Sequence, residues 1–306
     1  RGFRIFLVCI LGFCVLFGAF CIVWPLVHDG SQQEPNAVQP DTSDESNPSD
    51  TPDQPDPSQP EDQTPVSDPV EPSLEAQKAQ ALLEQMSLEE KVYQLFLVTP
   101  EALTGVETAT RAGDATRAAI EGQPVGGIVY FAANLIDRNQ TIELLSNTQS
   151  YSKIPLFLAV DEEGGIVSRV GSNPAMGVTH LDSMASYGAQ ADPQQVYTLG
   201  DELLALGFNL DFAPVADVVT NPNNTEIGSR SFSSDPFIAA KMVGSIVSGM
   251  QESGILSALK HFPGHGGTAS DTHNGLSVTT RTLEEMEQSE FLPFAAGIEA
   301  GAPFVM

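Results

Sequence analysis

The sequence has little cysteine and few basic residues, and both shortages narrow what the protein can do. Its three cysteines, Cys9, Cys14 and Cys21, all lie in the first apolar segment. The remainder therefore carries no disulfide framework, no cysteine-ligated metal site and no thiol nucleophile. Lysine and arginine number 13 against 40 aspartates and glutamates, which gives a net charge of −27. This acidic excess disfavours nucleic-acid binding, which depends on cationic contacts to phosphates.

Basic residues are missing altogether between Asp29 and Glu75, where about half of the net negative charge lies. Residues 28–72 are rich in proline, aspartate, serine, glutamine and glutamate. Such a composition cannot bury enough apolar surface to fold. We predict a disordered, solvated spacer that holds a folded domain away from a membrane.

The N-terminal segment is almost wholly apolar from Ile5 to Val27. A run of about 20 residues can cross a bilayer as a helix. Arg1 and Arg4 precede it and an acidic stretch follows, so the positive-inside rule places the remainder outside the cytoplasm. We predict a single-pass membrane anchor over residues 1–27. The alternative is a cleaved signal peptide and secretion, although the run is long for that and no small-x-small site follows.

Residues 73–306 have the composition of a folded domain in which apolar and amphipathic segments alternate. The strands predicted from the apolar runs are Gly126–Phe131, Pro155–Val160, Phe208–Val215, Gly254–Leu259 and a run beginning at Pro303. The helices predicted from the spacing are Leu74–Met86, Arg138–Ser150, Pro236–Ser253 and Leu283–Glu299, with one or two more over residues 183–206. This alternation predicts a parallel sheet covered by helices.

Polar residues at strand ends favour a barrel. Asp161, Asp217 and Lys260-His261 follow predicted strands, and the carboxyl ends of barrel strands carry active sites. A doubly wound sheet is the alternative, but no glycine-rich phosphate motif follows the first strand. We expect a TIM-like (β/α)8 barrel that is incomplete over residues 73–306, because only about five strands precede Met306.

Four polar clusters carry the candidate chemistry. They are Asp161-Glu162-Glu163-Gly164-Gly165 with Arg169, Gly228-Ser229-Arg230-Ser231-Phe232, Lys260-His261, and Asp271-Thr272-His273. A carboxylate accepts hydrogen bonds from hydroxyls, and an arginine forms forked contacts to oxygens. An aspartate two residues before a histidine can orient the imidazole, which then acts as both acid and base near neutral pH. Taken singly, each cluster is also compatible with an ordinary turn or surface position.

A zinc site is a competing interpretation of the histidines. His261, His265, Asp271 and His273 are ligand types that zinc accepts. The spacing of His261 and His265 suits a helix, but Pro263 and Gly264 between them disfavour one. We therefore predict no metal and no cofactor.

Several motifs, in the same order, resemble the β-N-acetylhexosaminidase branch of glycoside hydrolase family 3. They are Lys260-His261-Phe262-Pro263-Gly264-His265-Gly266 with Asp271-Thr272-His273, Asp161-x-Glu163-Gly164-Gly165-x-Val167-x-Arg169, and the loop with Arg230. The resemblance spans about residues 81–306. We attach no consequence to the acidic pair Glu162-Glu163.

The resemblance implies a retaining exo-β-N-acetylglucosaminidase. It assigns the acid/base to His273, with Asp271 as its partner. It places Asp161, Arg169, Arg230, Lys260 and His261 around N-acetylglucosamine in the −1 subsite. The aspartate nucleophile would follow a strand that begins near Met306, so neither Asp211 nor Asp217 is assigned that role, and we expect the 306-residue chain alone to be inactive. The substrate would be a glycan with terminal N-acetylglucosamine, such as a peptidoglycan fragment.

Other functions stay open from sequence. A β-glucosidase would not need the Asp-x-His pair. A phosphorylase would gain from a histidine acid/base, which does not repel phosphate as a carboxylate does. A glycan-binding protein without catalysis could use the same scaffold.

Overall fold

A computed structural model of the protein describes residues 72–189, 193–268 and 276–306. The predicted anchor (residues 1–27), all but the last residue of the predicted spacer, and the pair Asp271 and His273 lie outside the described residues. Within the described ranges, no helix has both the length and the apolar character to cross a bilayer. The chain divides into two units. One includes the helix α1, Leu74–Gln85, and the other contains the residues from Met86 to Met306.

The larger unit alternates helices with strands, as predicted. Its α-helices in the described ranges are α2 Leu88–Tyr93, α3 Pro100–Thr104, α4 Asp114–Gly122, α5 Arg138–Ser150, α6 Met184–Tyr187, α7 Pro193–Leu206, α8 Pro236–Ser253, α9 Leu283–Glu287 and α10 Phe291–Glu299. The predicted bounds of α5 and α8 are confirmed. Both helices start at an aspartate whose side chain accepts backbone N–H groups of the first turn.

The sheet contains six parallel strands whose neighbours follow the order of the chain. These strands are β1 Leu97–Val98, β2 Gly127–Val129, β3 Phe157–Val160, β6 Leu210–Asp211, β7 Leu256–Leu259 and β8 Phe304–Val305. A doubly wound sheet would reverse its strand order at one point. The unbroken order therefore matches barrel-type winding, and the strand missed from sequence is the short β1.

Two apolar layers lie on opposite faces of this sheet. The larger contains Val160 and Leu259 and packs under the helices. The smaller contains Ala159 and Ala258, with Phe157 and Phe304 against it. Because successive side chains of a strand point to opposite faces, the next residues, Asp161 and Lys260, fall on the side of the smaller layer. The winding of the sheet thus sets these two charged residues at its carboxyl edge.

Two predicted elements are corrected. The predicted helix Leu283–Glu299 is two helices, α9 and α10. A single helix would place Pro293 in its interior without an N–H to donate, whereas in α10 it falls in the first turn, where none is needed. The predicted strand Phe208–Val215 is cut to β6 for a related reason, since Pro214 cannot donate to a ladder.

A short antiparallel ribbon leaves the sheet after β3. It consists of β4 Glu162–Gly164 and β5 Val167–Ser168. Gly164 and Gly165 have φ of 92° and 56°, a region that favours glycine. A β-carbon at Gly165 would lie 2.5 Å from the hydroxyl of Ser183. The two glycines thus let the turn fold back tightly behind Asp161.

Candidate active site at the carboxyl edge of the sheet

A buried ammonium group forms the centre of the site. The side chain of Lys260 is 2% exposed, and its Nζ contacts Asp161 Oδ1 and lies 2.5 Å from Glu163 Oε1. Burying a charge is costly unless it is paired. Lys260 therefore needs both carboxylates, and in return it fixes their positions.

Glu163 joins this centre to the loop that carries Arg230. The guanidinium donates from Nε to Glu163 Oε2 over 2.8 Å and from Nη2 to Oε1 over 2.7 Å. This two-bond geometry is the strongest form of a carboxylate–arginine contact. Burial alone would raise the pKa of Glu163, but the hydrogen bonds from Arg230 and the charge of Lys260 outweigh it, so the pKa lies below the usual value. Glu163 is thus held in its ionised form.

Asp217 sets the orientation of His261. Its Oδ2 lies 2.6 Å from His261 Nδ1 and also accepts the backbone N–H of His261 over 3.2 Å. The other ring nitrogen, Nε2, is 3.2 Å from Arg230 Nη2. A carboxylate only accepts and a guanidinium only donates. The contacts therefore assign the proton to Nδ1 and an accepting lone pair to Nε2, which describes the neutral imidazole.

The same aspartate anchors the loop after β7. Asp217 Oδ1 accepts the backbone N–H of His265 over 2.6 Å. The carbonyl of His265 accepts a hydrogen bond from Asn224 Nδ2 over 2.7 Å. The imidazole Nδ1 of His265 is 2.5 Å from Thr268 Oγ1. Asp217 is fully buried and is thus satisfied by protein donors, which makes it a support of the loop.

Arg169, which directly follows β5, adds a second cation beside Asp161. Its Nη2 is 3.7 Å from Asp161 Oδ2, and its guanidinium lies 6.0 Å from the ring centroid of Phe131. The side chains of Asp161 and Arg169 are 21% and 29% exposed. These two groups can therefore reach a ligand in solvent, whereas Lys260 and Glu163 act from beneath them.

Glu162 gives the ribbon its shape. Its carboxylate accepts from the hydroxyl of Ser168, from the N–H of Val170 over 2.6 Å and from the N–H of Gly171 over 3.2 Å. Burial raises the pKa of Glu162, and these hydrogen bonds offset part of that effect. The acidic pair Glu162-Glu163, to which we attached no consequence from the sequence, does have a structural role, because Glu162 closes the ribbon and Glu163 pairs with Lys260 and Arg230.

Neither buried aspartate near the centre is placed to attack a sugar. Asp211 is 2% exposed and accepts the N–H of Glu162 over 2.9 Å. Burial raises its pKa well above the ordinary value. Asp217 is fully engaged by the loop. Asp211 and Asp217 are therefore both buried and held by backbone N–H donors.

The structure brings five of the seven predicted site residues into one connected group. They are Asp161, Arg169, Arg230, Lys260 and His261. The other two, Asp271 and His273, lie outside the described residues, so their predicted roles stay predictions. The links within the group run through Glu163 and Asp217, which sequence reasoning did not assign to the site. A signal for Glu163 was available, since buried cationic residues require a carboxylate.

The contacts of the two described histidines bear on the zinc alternative. The rings of His261 and His265 lie 6.0 Å apart between centroids, roughly perpendicular to each other. Each Nδ1 already has a protein partner. In the ranges that the structure describes, no three histidine, cysteine or acidic side chains are grouped so as to hold a metal ion.

Comparison with known proteins places this site in a family. The family model described as the glycosyl hydrolase family 3 N-terminal domain matches residues 87–306. The chain belongs to glycoside hydrolase family 3. The match includes both the ribbon with Glu163 and the loop with Lys260 and His261, so the family motif and the geometric site coincide.

Relatives of the chain are named for related activities. A β-hexosaminidase of Xylella fastidiosa is 39% identical over 197 residues, which are 61% of this chain and 57% of that protein. The structure of a β-N-acetylglucosaminidase from a Paenibacillus species superposes with a TM-score of 0.64 at 34% identity, over 72% of this chain and 41% of that one. NagZ from Neisseria gonorrhoeae, solved with N-trifluoroacetyl-D-glucosamine, gives 0.59 at 31% identity, over 65% and 59%.

These comparisons confirm the predicted resemblance to the β-hexosaminidase branch of the family. They also support a curled, half-barrel form of the parallel sheet. The chain spans 57% of the length of the Xylella relative. What the whole protein does is therefore a proposal.

Proposed function

We propose that the full-length protein is a retaining exo-β-N-acetylglucosaminidase that removes terminal β-linked N-acetylglucosamine. The observation that carries this proposal is the connected group at the carboxyl edge of the sheet. There, Asp161, Arg169, Arg230 and His261 expose polar atoms beside one another. A site built of fixed donors and acceptors suits a ligand with many hydroxyls.

Each exposed group has a binding role that its contacts define. The Oδ2 of Asp161 accepts hydrogen bonds from sugar hydroxyls, since Oδ1 is committed to Lys260. The guanidinium groups of Arg169 and Arg230 donate to hydroxyl or carbonyl oxygens. Lys260 supports the site from below, because its ammonium is buried between two carboxylates.

The catalytic steps rest on the family resemblance. An aspartate beyond β8 attacks the anomeric carbon, while His273 transfers a proton to the departing oxygen and Asp271 steadies its imidazole. The product of this step is a covalent glycosyl-enzyme. His273 then removes a proton from water, which attacks the same carbon and frees the sugar. The two inversions together retain the anomeric configuration.

The architecture proposed for the full-length protein extends the half-barrel to eight strands. The residues after β8 would supply the remaining strands and the nucleophile, so we propose that the chain of 306 residues alone does not hydrolyse glycosides. The apolar segment Ile5–Val27 and its basic flank favour a membrane anchor with the catalytic domain outside the cytoplasm. A fractionation experiment with an accessibility probe on intact cells tests that placement.

The decisive experiment compares substrates and one variant. We expect the full-length protein to hydrolyse the para-nitrophenyl β-N-acetylglucosaminide well and the corresponding β-glucoside poorly. His273→Ala should lower kcat/KM more for chitobiose than for the nitrophenyl substrate, since a nitrophenolate leaves with little protonation. Equal losses on both substrates would contradict the acid role. Activity on neither would favour a glycan-binding protein.

A phosphorylase of the same fold remains the second candidate, because a neutral histidine acid/base tolerates an incoming phosphate. Analysis of the products separates the two. Free N-acetylglucosamine in phosphate buffer supports the hydrolase, and N-acetylglucosamine phosphate supports the phosphorylase. A β-glucosidase would be indicated by preference for the glucoside.

A further inference from the structure

A further ion pair, whose carboxylate is buried, lies against the loop after β7 and has no part in the binding roles above. It joins Glu290, which directly precedes α10, to Arg281, which directly precedes Thr282, the N-cap residue of α9. The Nε of Arg281 is 3.3 Å from Glu290 Oε2. The N–H of that nitrogen does not point at the oxygen, so the contact is an ion pair without a hydrogen bond. The side chain of Glu290 is 2% exposed and that of Arg281 is 32% exposed.

Glu290 also contacts the loop that follows β6. Its other oxygen, Oε1, accepts from the hydroxyl of Thr220 over 3.2 Å. Thr220 is next to Asn221, which binds the backbone of the loop after β7, here called the β7 loop. There, the backbone N–H of Asn221 donates to the carbonyl of Gly266, and the side chain of Asn221 donates to the carbonyl of Thr268, both over 3.2 Å.

Two glycines of the β7 loop lie against Glu290, and the contact at Gly264 leaves no room for a side chain. At Gly264, where φ is +126°, a β-carbon would lie 2.7 Å from Glu290 Cγ. At Gly267, a β-carbon would lie 3.4 Å from Glu290 Oε1 and 2.9 Å from Thr220 Oγ1. The backbone on the N-terminal side of residues 269–275 is therefore fitted to the side chain of Glu290.

Arg281 stands on the other side of the same segment. One buried carboxylate thus contacts the chain before residue 269, through Gly264 and Gly267, and the chain after residue 275, through Arg281. An unpaired charge at this position would be costly, so the pair has reason to persist. The arrangement fixes the separation of the two flanks.

We propose that Glu290, through its ion pair with Arg281, is a positioning residue for the acid/base step. It holds both flanks of the segment that carries Asp271 and His273, and so sets where that segment begins and ends relative to Lys260 and His261. The inference rests on the proposed function for its catalytic consequence. Its structural half concerns the described flanks and can be tested without any turnover.

The kinetic test uses the full-length protein with Glu290→Gln, which keeps the shape and removes the charge, and with Arg281→Gln. The matched control is Glu287→Gln, at an exposed carboxylate of α9. A displacement of about 1 Å in a catalytic group can lower the rate about 100-fold. We expect kcat/KM for chitobiose to fall about 10- to 100-fold in both variants, while kcat/KM for the dinitrophenyl N-acetylglucosaminide changes less than about 2-fold, because that leaving group needs little acid assistance.

The double variant tests whether the two residues act together. If they do, Glu290→Gln with Arg281→Gln should lose no more activity on chitobiose than either single variant. Equal loss on both substrates, or losses that multiply in the double variant, would refute a positioning role. Should Glu290→Gln fail to fold, Arg281→Gln alone carries the kinetic test, since its side chain is partly exposed.

Hydrogen exchange tests whether the ion pair between Glu290 and Arg281 holds the chain after residue 275. In Glu290→Gln and Arg281→Gln, but not in Glu287→Gln, amides of residues 276–285 should exchange at least about 10-fold faster than in the wild type. Unchanged exchange on this flank would overturn the proposal. If the wild type hydrolyses neither substrate, the proposed function fails, and exchange still tells whether the ion pair holds the flank.

Discussion

The ion-pair centre of the site makes a sharp prediction for Glu163→Gln. Glu163 accepts two charge-assisted hydrogen bonds from Arg230 and faces Lys260 at 2.5 Å. Each such bond contributes about 1.5–3 kcal/mol, and a neutral amide can replace one of the two at about 1 kcal/mol. Lys260 keeps Asp161 as a partner, whereas Arg230 loses its carboxylate. The expected loss in the free energy of unfolding is about 3 kcal/mol, the lower end of what breaking a buried pair costs.

The assay is urea unfolding of the full-length protein. With an m-value of about 3 kcal/mol/M, the midpoint should fall by about 1 M. The matched control is Glu226→Gln, an exposed acid four residues before Arg230 in the same loop, and its midpoint should stay within error. A Glu163→Gln midpoint equal to that of the control would refute the argument that Lys260 and Arg230 require this carboxylate.

The difference in unfolding free energy between the wild type and Glu163→Gln depends on pH, because the pKa of Glu163 is lowered in the folded state. A carboxyl whose pKa is lower in the folded state contributes stability above its unfolded pKa, which is about 4.3. That contribution is lost as the pH falls through the lower, folded value. The wild type and Glu163→Gln should therefore differ fully at pH 7 and converge below about pH 4. A difference that stays constant down to pH 3 would show that charge is not its cause.

Two further substitutions test the supports of the loops. Asp217→Asn should raise the Kd for N-acetylglucosamine, measured by calorimetry, about 10-fold or more. The reason is that an amide cannot accept every N–H that the carboxylate of Asp217 accepts around His261. An unchanged Kd would show that the orientation of His261 does not matter for binding. Gly264→Ala should lower the free energy of unfolding about 1–3 kcal/mol more than Gly177→Ala. Both glycines have positive φ, but only a side chain at position 264 would meet Glu290, whereas Gly177 faces open space. Equal losses in the two variants would argue against close packing at Gly264.

Local patterns were enough to predict much of the fold. The helix Arg138–Ser150 and the helix Pro236–Ser253 were predicted from their spacing, and the structure shows an aspartate cap at the start of each. Buried parallel strands were recognised as apolar runs. The two-residue strand β1 was missed because two residues carry no periodicity.

The residues of the site also fall into those that the sequence indicated and those that it did not. Asp161, Lys260 and His261 were singled out because titratable residues directly after a buried strand are unusual, and the family resemblance implied their binding roles. Asp217 also follows a predicted strand, but neither it nor Glu163 was assigned to the site, because what makes them important is a partner far along the chain. Glu163 meets Arg230 across 67 positions and Asp217 meets His261 across 44. No local pattern encodes such a pairing.

The amino-acid sequence alone was sufficient to predict where most strands and helices lie, which family motifs the chain carries, and which polar residues follow strands. These properties depend on near neighbours and on residue type. The three-dimensional packing was needed to show which charges are buried, which carboxylate pairs with which cation, and that the buried Glu290 contacts both Arg281 and the loop after β7. Those outcomes depend on desolvation and on distances between segments, and both are set when the parallel strands bring remote loops to one edge of the sheet.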